Sequence, residues 1–114
     1  MDEITFLKCF TLLEKQTWLL VAEKKECADP TGKFNVVHAE DKGINTVEEC
    51  AETCHGTSSM FSFGTNDFED NRCNHIGCRC LCEVSASEDG TCQEVTRNGY
   101  RLYKFRRFGK NNII

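Results

Sequence analysis

Several features that organise larger proteins are scarce or missing in this sequence. Pro30 is the only proline, and no repeat, low-complexity tract or proline-rich linker divides the 114 residues into parts. No apolar run reaches the roughly twenty residues that a membrane-spanning helix needs. The nucleophile-elbow, phosphate-loop and zinc-protease motifs are also absent. We therefore expect a single domain with no membrane insertion, no catalytic residues and no cofactor.

Cysteine, by contrast, is abundant. The chain has nine cysteines, a density typical of a small disulfide scaffold. Disulfides persist in oxidising compartments, so the count predicts a secreted, extracellular protein. Cys9 stands apart near the N-terminus, and we expect it to lie outside the folded module. The other eight make four pairs and are Cys27, Cys50, Cys54, Cys73, Cys78, Cys80, Cys82 and Cys92.

The chain divides into three predicted segments. Residues 1–22 hold two apolar runs interrupted by charged residues, which fits a degenerate secretory signal or an extra strand or helix. Residues 23–106 are predicted to form the disulfide-rich module. Residues 107–114 are predicted to form a basic, flexible tail.

The clearest local signal is a helix over residues 47–55. Thr46 and Glu49 form a T-x-x-E capping box, in which each side chain can accept a hydrogen bond from the other residue's backbone N–H. Cys50 and Cys54 recur one helical turn apart and therefore share a face. Gly56 can adopt the left-handed conformation that ends a helix.

Strand signals lie on both sides of this helix. A short strand is indicated around residues 34–37, and alternating or aromatic runs follow at 60–63, 78–84 and 100–105. Asn98 and Gly99 form a strong turn dipeptide just before the last run. The pattern predicts an α+β fold, a small disulfide-rich antiparallel sheet with one short helix packed across it.

The spacing of the cysteines suggests how the helix is held. Cys78, Cys80 and Cys82 alternate on one strand, so they point to one face and are too far apart to bond one another easily. Two thiols one helical turn apart, on a helix laid across that face, could reach two of these three. Cys27 and Cys92 bracket the module and could tie its ends together, and Cys73 would take the strand cysteine that is left over.

A zinc site is the alternative use of the same residues. Cysteine and histidine are the ligands that structural zinc prefers, and residues 50–55 and 73–82 are rich in both. However, two separated C-x2-C knuckles are absent, and most of the cysteines would be surplus to one tetrahedral site.

Residues 25–105 resemble the PAN/apple family. The resemblance is carried by TVEECAETC at residues 46–54, MFSFGT at 60–65 and CRCLC at 78–82. It implies an antiparallel sheet cradling one helix, Cys50 and Cys54 as the helix cysteines, Cys27 with Cys92 as the terminal pair, and adhesion to proteins or carbohydrates outside the cell. Two departures from the family are the lack of a cysteine just before the aromatic strand and the extra cysteine in C-x-C-x-C.

The charge is uneven, which suggests a contact surface. The net charge is −4, yet residues 91–114 carry six basic side chains against one acidic. Such a segment can attract an anionic partner, and tyrosine and arginine are favoured in contact surfaces. The predicted contact residues are Arg101, Tyr103, Lys104, Arg106 and Arg107. Alternatively, Tyr100, Leu102 and Phe105 belong to the core and the arginines merely cover its outer face.

These observations favour an extracellular module that binds a protein or a glycan, with no nucleic-acid partner. A second hypothesis is a secreted protease inhibitor or toxin on the same scaffold, presenting residues 85–90 or 65–71 as a rigid loop. A third is an intracellular zinc-binding domain.

Overall fold

The computed structural model describes residues 18–30, 35–38, 43–65, 72–73 and 78–106, with the backbone alone for 35–38. The described elements are β1 (Trp18–Cys27), β2 (Asn35–His38), α1 (Val47–Cys54), β3 (Met60–Gly64), β4 (Arg79–Cys82) and β5 (Glu94–Phe105). Within these ranges the strands form one antiparallel sheet in the order β1-β5-β3-β4-β2. The predicted α+β class, a small disulfide-rich antiparallel sheet with a helix, is confirmed. Cys9, the predicted tail at 107–114 and most of the 65–71 loop lie outside the described residues.

The capping of α1 differs in one detail from the prediction. The Thr46 hydroxyl accepts a hydrogen bond from the Glu49 N–H at 3.1 Å, as a capping box requires. The Glu49 carboxylate instead accepts from the N–H of Asn45, at 2.7 Å, one residue before the expected donor. The helix ends at Cys54, and Gly56 has the expected left-handed conformation, with φ +85°.

The central strand β3 is buried on both sides. Phe61 and Phe63 point towards α1, where they join the larger core cluster with cysteines of α1 and β4. The opposite face of the sheet carries a smaller cluster of Cys27, Met60 and Leu102. The loop of residues 84–92, here called the 84–92 loop, packs on this second cluster through Ala86 and Cys92.

The Asn98–Gly99 pair does not form the predicted turn. Both residues lie inside β5, which runs without a break from Glu94 to Phe105. The pairing of β1 with β5 shifts register between Glu23 and Lys25, and in this region Lys24 has φ +59° and Gly99 has φ +84°. A β-bulge satisfies the same left-handed preference that a hairpin turn does, so the dipeptide marks a bulge in one long strand.

Strand β1 crosses the boundary predicted between residues 22 and 23. It begins at Trp18, which pairs with Phe105, so residues 18–22 belong to the sheet. The Trp18 ring packs edge-on against Phe61 and Tyr103, at centroid distances of 6.1 and 5.5 Å. Residues 18–22, the end of the segment predicted to be a degenerate signal or an extra strand or helix, are therefore part of a strand.

Candidate functional site

Two disulfides join α1 to β4, and both are buried in the larger core. Cys50 bonds Cys80 and Cys54 bonds Cys82, with Cα–Cα distances of 5.5 and 5.1 Å. The two helix cysteines and the two strand cysteines have similar spacing, because one turn of a helix and two residues of a strand span similar lengths. The pairing agrees with the expectation that the helix thiols bond two of the three alternating strand thiols.

The other two disulfides join β1 to the start of β5 and close a short loop before β4. Cys27 at the end of β1 bonds Cys92 just before β5, with a Cα–Cα distance of 5.6 Å. Cys73 bonds Cys78, the strand cysteine that α1 leaves over. Both pairs agree with the arrangement suggested by the sequence.

The cysteines nearest one another do not offer a metal site in this oxidised state. The sulfur atoms of Cys50, Cys54 and Cys80 lie within 4.8 Å of one another. Each of the three is bonded to another sulfur, and a zinc ligand must be a free thiolate. Their proximity reflects two neighbouring disulfides rather than a set of ligands.

An apolar groove lies on the face of the sheet away from α1. Leu19, Leu20 and Val21 of β1 are 36, 49 and 38% exposed, and they follow one another on a strand that pairs with β5 alone among the described strands. The groove has a volume of about 440 Å³. Besides these three residues, its walls include Met60, Thr91, Cys92, Glu94 and Lys104.

Tyr103 is in the core, which corrects its assignment to the contact surface. The residue is only 3% exposed, and its ring stacks on Phe61 at a centroid distance of 5.0 Å. Burial raises the pKa of Tyr103, and the neighbouring Arg101 opposes part of that rise. The alternation of β5 explains the error, because Tyr103 and Phe105 share the face covered by α1.

The basic residues predicted beside Tyr103 occupy different environments. Arg101 forms an ion pair with Glu23 of β1, with a nitrogen–oxygen distance of 2.9 Å. Lys104 lines the groove, and Arg106 is exposed at the end of β5. Arg107 lies outside the described residues. Tyr100, Leu102 and Phe105 are buried, as the alternative interpretation of this segment has it.

Two features of the structure were not identified from the sequence, the exposed residues 19–21 and the buried carboxyl of Glu83. Residues 19–21 were treated only as part of an apolar run, since nothing local shows that they lie on a sheet edge. Glu83 is 0% exposed, and its carboxylate accepts hydrogen bonds from the Cys27 N–H and the Ser62 hydroxyl. A lone glutamate after a cysteine-rich strand gives no sequence signal of burial, because charged residues normally lie outside.

Comparisons with family models, with curated proteins and with solved structures each found no match for this chain. In the part of the chain that the structure describes, no helix combines the length and the apolar character needed to cross a bilayer.

Proposed function

We propose that this chain is an extracellular, PAN/apple-like recognition module that binds a protein or a glycan and carries out no chemistry of its own. The proposal rests mainly on one observation, a helix fastened across an antiparallel sheet by two buried disulfides. That arrangement, with Cys27 and Cys92 joining the ends, is the one that the family resemblance implies. Four disulfides also suit an oxidising compartment.

The groove beside β1 is the contact surface that the geometry favours. Three neighbouring apolar side chains are exposed there, and exposed apolar patches are typical of binding sites. Lys104 and Glu94 add one charge of each sign at the wall, which can orient a partner. Arg101 contributes less than expected, since its guanidinium already pairs with Glu23.

A binding screen with one matched pair of variants tests this proposal. The oxidised full chain is applied to an array of immobilised glycans and extracellular matrix proteins. We expect Leu19→Asp, at the residue paired with Lys104 of the groove wall, to weaken any captured interaction roughly tenfold or more, as loss of an apolar contact does. Thr57→Asp adds the same charge at an exposed position just after α1, on the other side of the sheet, and should leave binding within about twofold.

Two results would count against the recognition module. One is the absence of any captured protein or glycan. The other is an equal loss of binding in Leu19→Asp and Thr57→Asp, which would separate the binding from the groove.

A protease inhibitor remains a second candidate because residues 85–90 form a hydrogen-bonded, largely exposed loop. The Ser87 N–H donates to the Thr91 carbonyl at 2.9 Å, and the Thr91 hydroxyl donates to the Asp89 carboxylate at 2.7 Å. Rigid exposed loops are what protein inhibitors present to proteases, because little entropy is lost on binding. A panel of extracellular proteases decides between the two: an inhibitor slows one of them at stoichiometric concentration, whereas a recognition module slows none.

A further inference from the structure

Glu83 lies where several parts of the fold meet. It directly follows β4, and its backbone N–H donates to the Met60 carbonyl of β3 at 3.0 Å. Its side chain is completely buried on the face away from α1, among side chains that include Ser62. The 84–92 loop, which begins at the next residue, packs on the apolar cluster of this same face.

The two carboxyl oxygens of Glu83 differ in their hydrogen bonding. Oε2 accepts hydrogen bonds from the Cys27 N–H at 2.7 Å and from the Ser62 hydroxyl at 3.1 Å. Oε1 is buried and has no hydrogen-bond partner among the residues that the structure describes. Because Oε2 is occupied as an acceptor, the proton of the neutral acid belongs on Oε1. Ionisation spreads the negative charge over both oxygens, and the share on buried Oε1 meets no hydrogen-bond donor among the described residues, which is strongly unfavourable.

The charges around Glu83 do not relieve this cost. Glu26 and Asp29, on and just after β1, are both acidic and act on it unfavourably. Burial is the largest cause of the shift, and together these effects raise the pKa of Glu83 to about 7.

Within the described ranges, no cationic side chain is among the groups that shift the pKa of Glu83. β3 carries no ionisable side chain, and Arg97 of β5 pairs with Glu26. Lys104 of β5 lies against Gly90 of the loop, and Glu88 and Asp89 are exposed at the loop's tip.

The 84–92 loop is held to this region by a few contacts. The Ser85 hydroxyl donates to the Ala28 carbonyl at 3.2 Å, the Ser59 hydroxyl donates to the Ser87 carbonyl, and the Cys27–Cys92 disulfide fixes the far end. Between these anchors the loop packs by the small side chain of Ala86. Its last residues, Thr91 and Cys92, also form a wall of the groove.

We propose that Glu83 is a proton-controlled latch for the 84–92 loop. While the carboxyl is protonated, the loop stays packed on Met60 and Leu102. When the carboxyl releases its proton to solvent, the loop loosens so that water can reach Oε1. The disulfide limits the movement to the loop itself. Because the loop also walls the groove, the groove changes shape over the same pH range. This inference does not depend on what the module binds.

A nuclear magnetic resonance titration of the oxidised full chain between pH 4 and 8.5 tests the latch. We expect the Glu83 side-chain carbonyl carbon and the Cys27 amide to titrate together, with a midpoint near 7. Hydrogen-exchange protection of the loop amides, corrected for the intrinsic pH dependence of exchange, should fall roughly tenfold between pH 5 and 8. Protection of the α1 amides should not change over this range.

Two variants separate the latch from general effects of pH. Glu83→Gln keeps a side-chain carbonyl acceptor without a titrating proton, so the loop should be equally protected at both pH values. Glu88→Gln removes an exposed carboxylate of the same loop and should behave as the wild type does. A Glu83 midpoint near the ordinary 4.5, or the same loss of loop protection in Glu83→Gln, overturns the proposal. Should Glu83→Gln not fold, the wild-type titration decides alone, since loop amides that do not follow the Glu83 midpoint also overturn it.

Discussion

Gly64 lies beneath the ring of Tyr100, where β3 pairs with β5. A Cβ atom at this position would come within 2.5 Å of the ring carbon Cζ, far inside van der Waals contact. On the ring, the Arg97 guanidinium lies 4.7 Å from the centroid in a cation–π contact. The ring of Tyr100 therefore lies between Gly64 and the Arg97 guanidinium. It fits there only because Gly64 has no side chain.

Replacing Gly64 with alanine should therefore destabilise the fold through a steric clash. We expect Gly64→Ala to lower the free energy of unfolding by about 1–3 kcal/mol, the usual cost of overpacking. Urea unfolding of the oxidised protein measures it. In a Tyr100→Leu background the same substitution should cost clearly less, because the ring is gone. An equal cost in both backgrounds would place the strain in the backbone instead.

The burial of Glu83 also has a consequence for stability. Its pKa in the folded protein, about 7, lies above the ordinary 4.5 of an exposed glutamate. Below pH 4.5 both the folded and the unfolded chain carry the proton, so this residue adds no pH dependence. Between 4.5 and 7 the unfolded chain ionises first, and the folded state loses stability as the pH rises. Above 7 the loss is complete.

With rising pH, the wild type should thus lose stability relative to Glu83→Gln. The loss attributable to this residue is about 3 kcal/mol between pH 4.5 and 8, from the size of the pKa shift. Urea unfolding of both proteins at the two pH values gives the difference directly, since the other ionisable groups are common to both. If the two proteins show the same pH dependence, Glu83 is not buried in its neutral form.

Helix α1 is short, and its start depends on Thr46. The Thr46 hydroxyl satisfies the N–H of Glu49, and Glu48 and Glu49 place acidic side chains at the positive end of the helix dipole. A helix this short does not persist by itself, so it relies on this cap and on its disulfides.

Thr46→Ala should lower the free energy of unfolding by about 1 kcal/mol through loss of the cap. Thr53→Ala is the matched control within the same helix. The Thr53 hydroxyl is exposed and donates only to the Glu49 carbonyl one turn back, so its removal should change stability by less than about 0.5 kcal/mol. Chemical denaturation of both variants makes the comparison, and equal losses would contradict the role of the cap.

The elements that the sequence predicts best are those with a local signal. α1 follows from a capping box and a repeated face, and the anchoring of α1 follows from the alternation of Cys78, Cys80 and Cys82. β5 was predicted too short because the preference of Gly99 for a left-handed conformation is local, whereas the choice between turn and bulge depends on the strand beside it.

The groove and the buried carboxyl could not be predicted for a related reason. Exposure of Leu19, Leu20 and Val21 depends on β1 lying at the edge of the sheet, which is a property of the strand order. Burial of Glu83 depends on contacts with residues distant in the sequence, since its carboxylate accepts from Cys27 of β1 and Ser62 of β3. Tyr103 was assigned to the surface because tyrosine is common in interfaces. Its position in the alternation of β5, however, places its side chain on the face covered by α1.

At the scale of the whole molecule, the disulfides constrain very different lengths of chain. Cys27–Cys92 spans a sequence separation of 65 and encloses β2, α1, β3 and β4. The two helix-to-strand bonds span 30 and 28, and Cys73–Cys78 spans 5. Since a cross-link lowers the entropy of the unfolded chain more when it closes a longer loop, the four bonds should not contribute equally.

The Cys27–Cys92 bond should therefore stabilise the fold more than Cys73–Cys78 does. In the chain-entropy model the two contribute about 4 and about 2 kcal/mol, from the separations of 65 and 5 residues. Cys27→Ala/Cys92→Ala and Cys73→Ala/Cys78→Ala each remove one bond without leaving a free thiol of that pair. Urea unfolding of both double variants, with the remaining disulfides verified by peptide mapping, gives the two losses. The reverse order would mean that the unfolded chain already holds residues 27 and 92 close together. In that case the long-range closure is not what stabilises the sheet, and its stability rests on the buried bonds between α1 and β4.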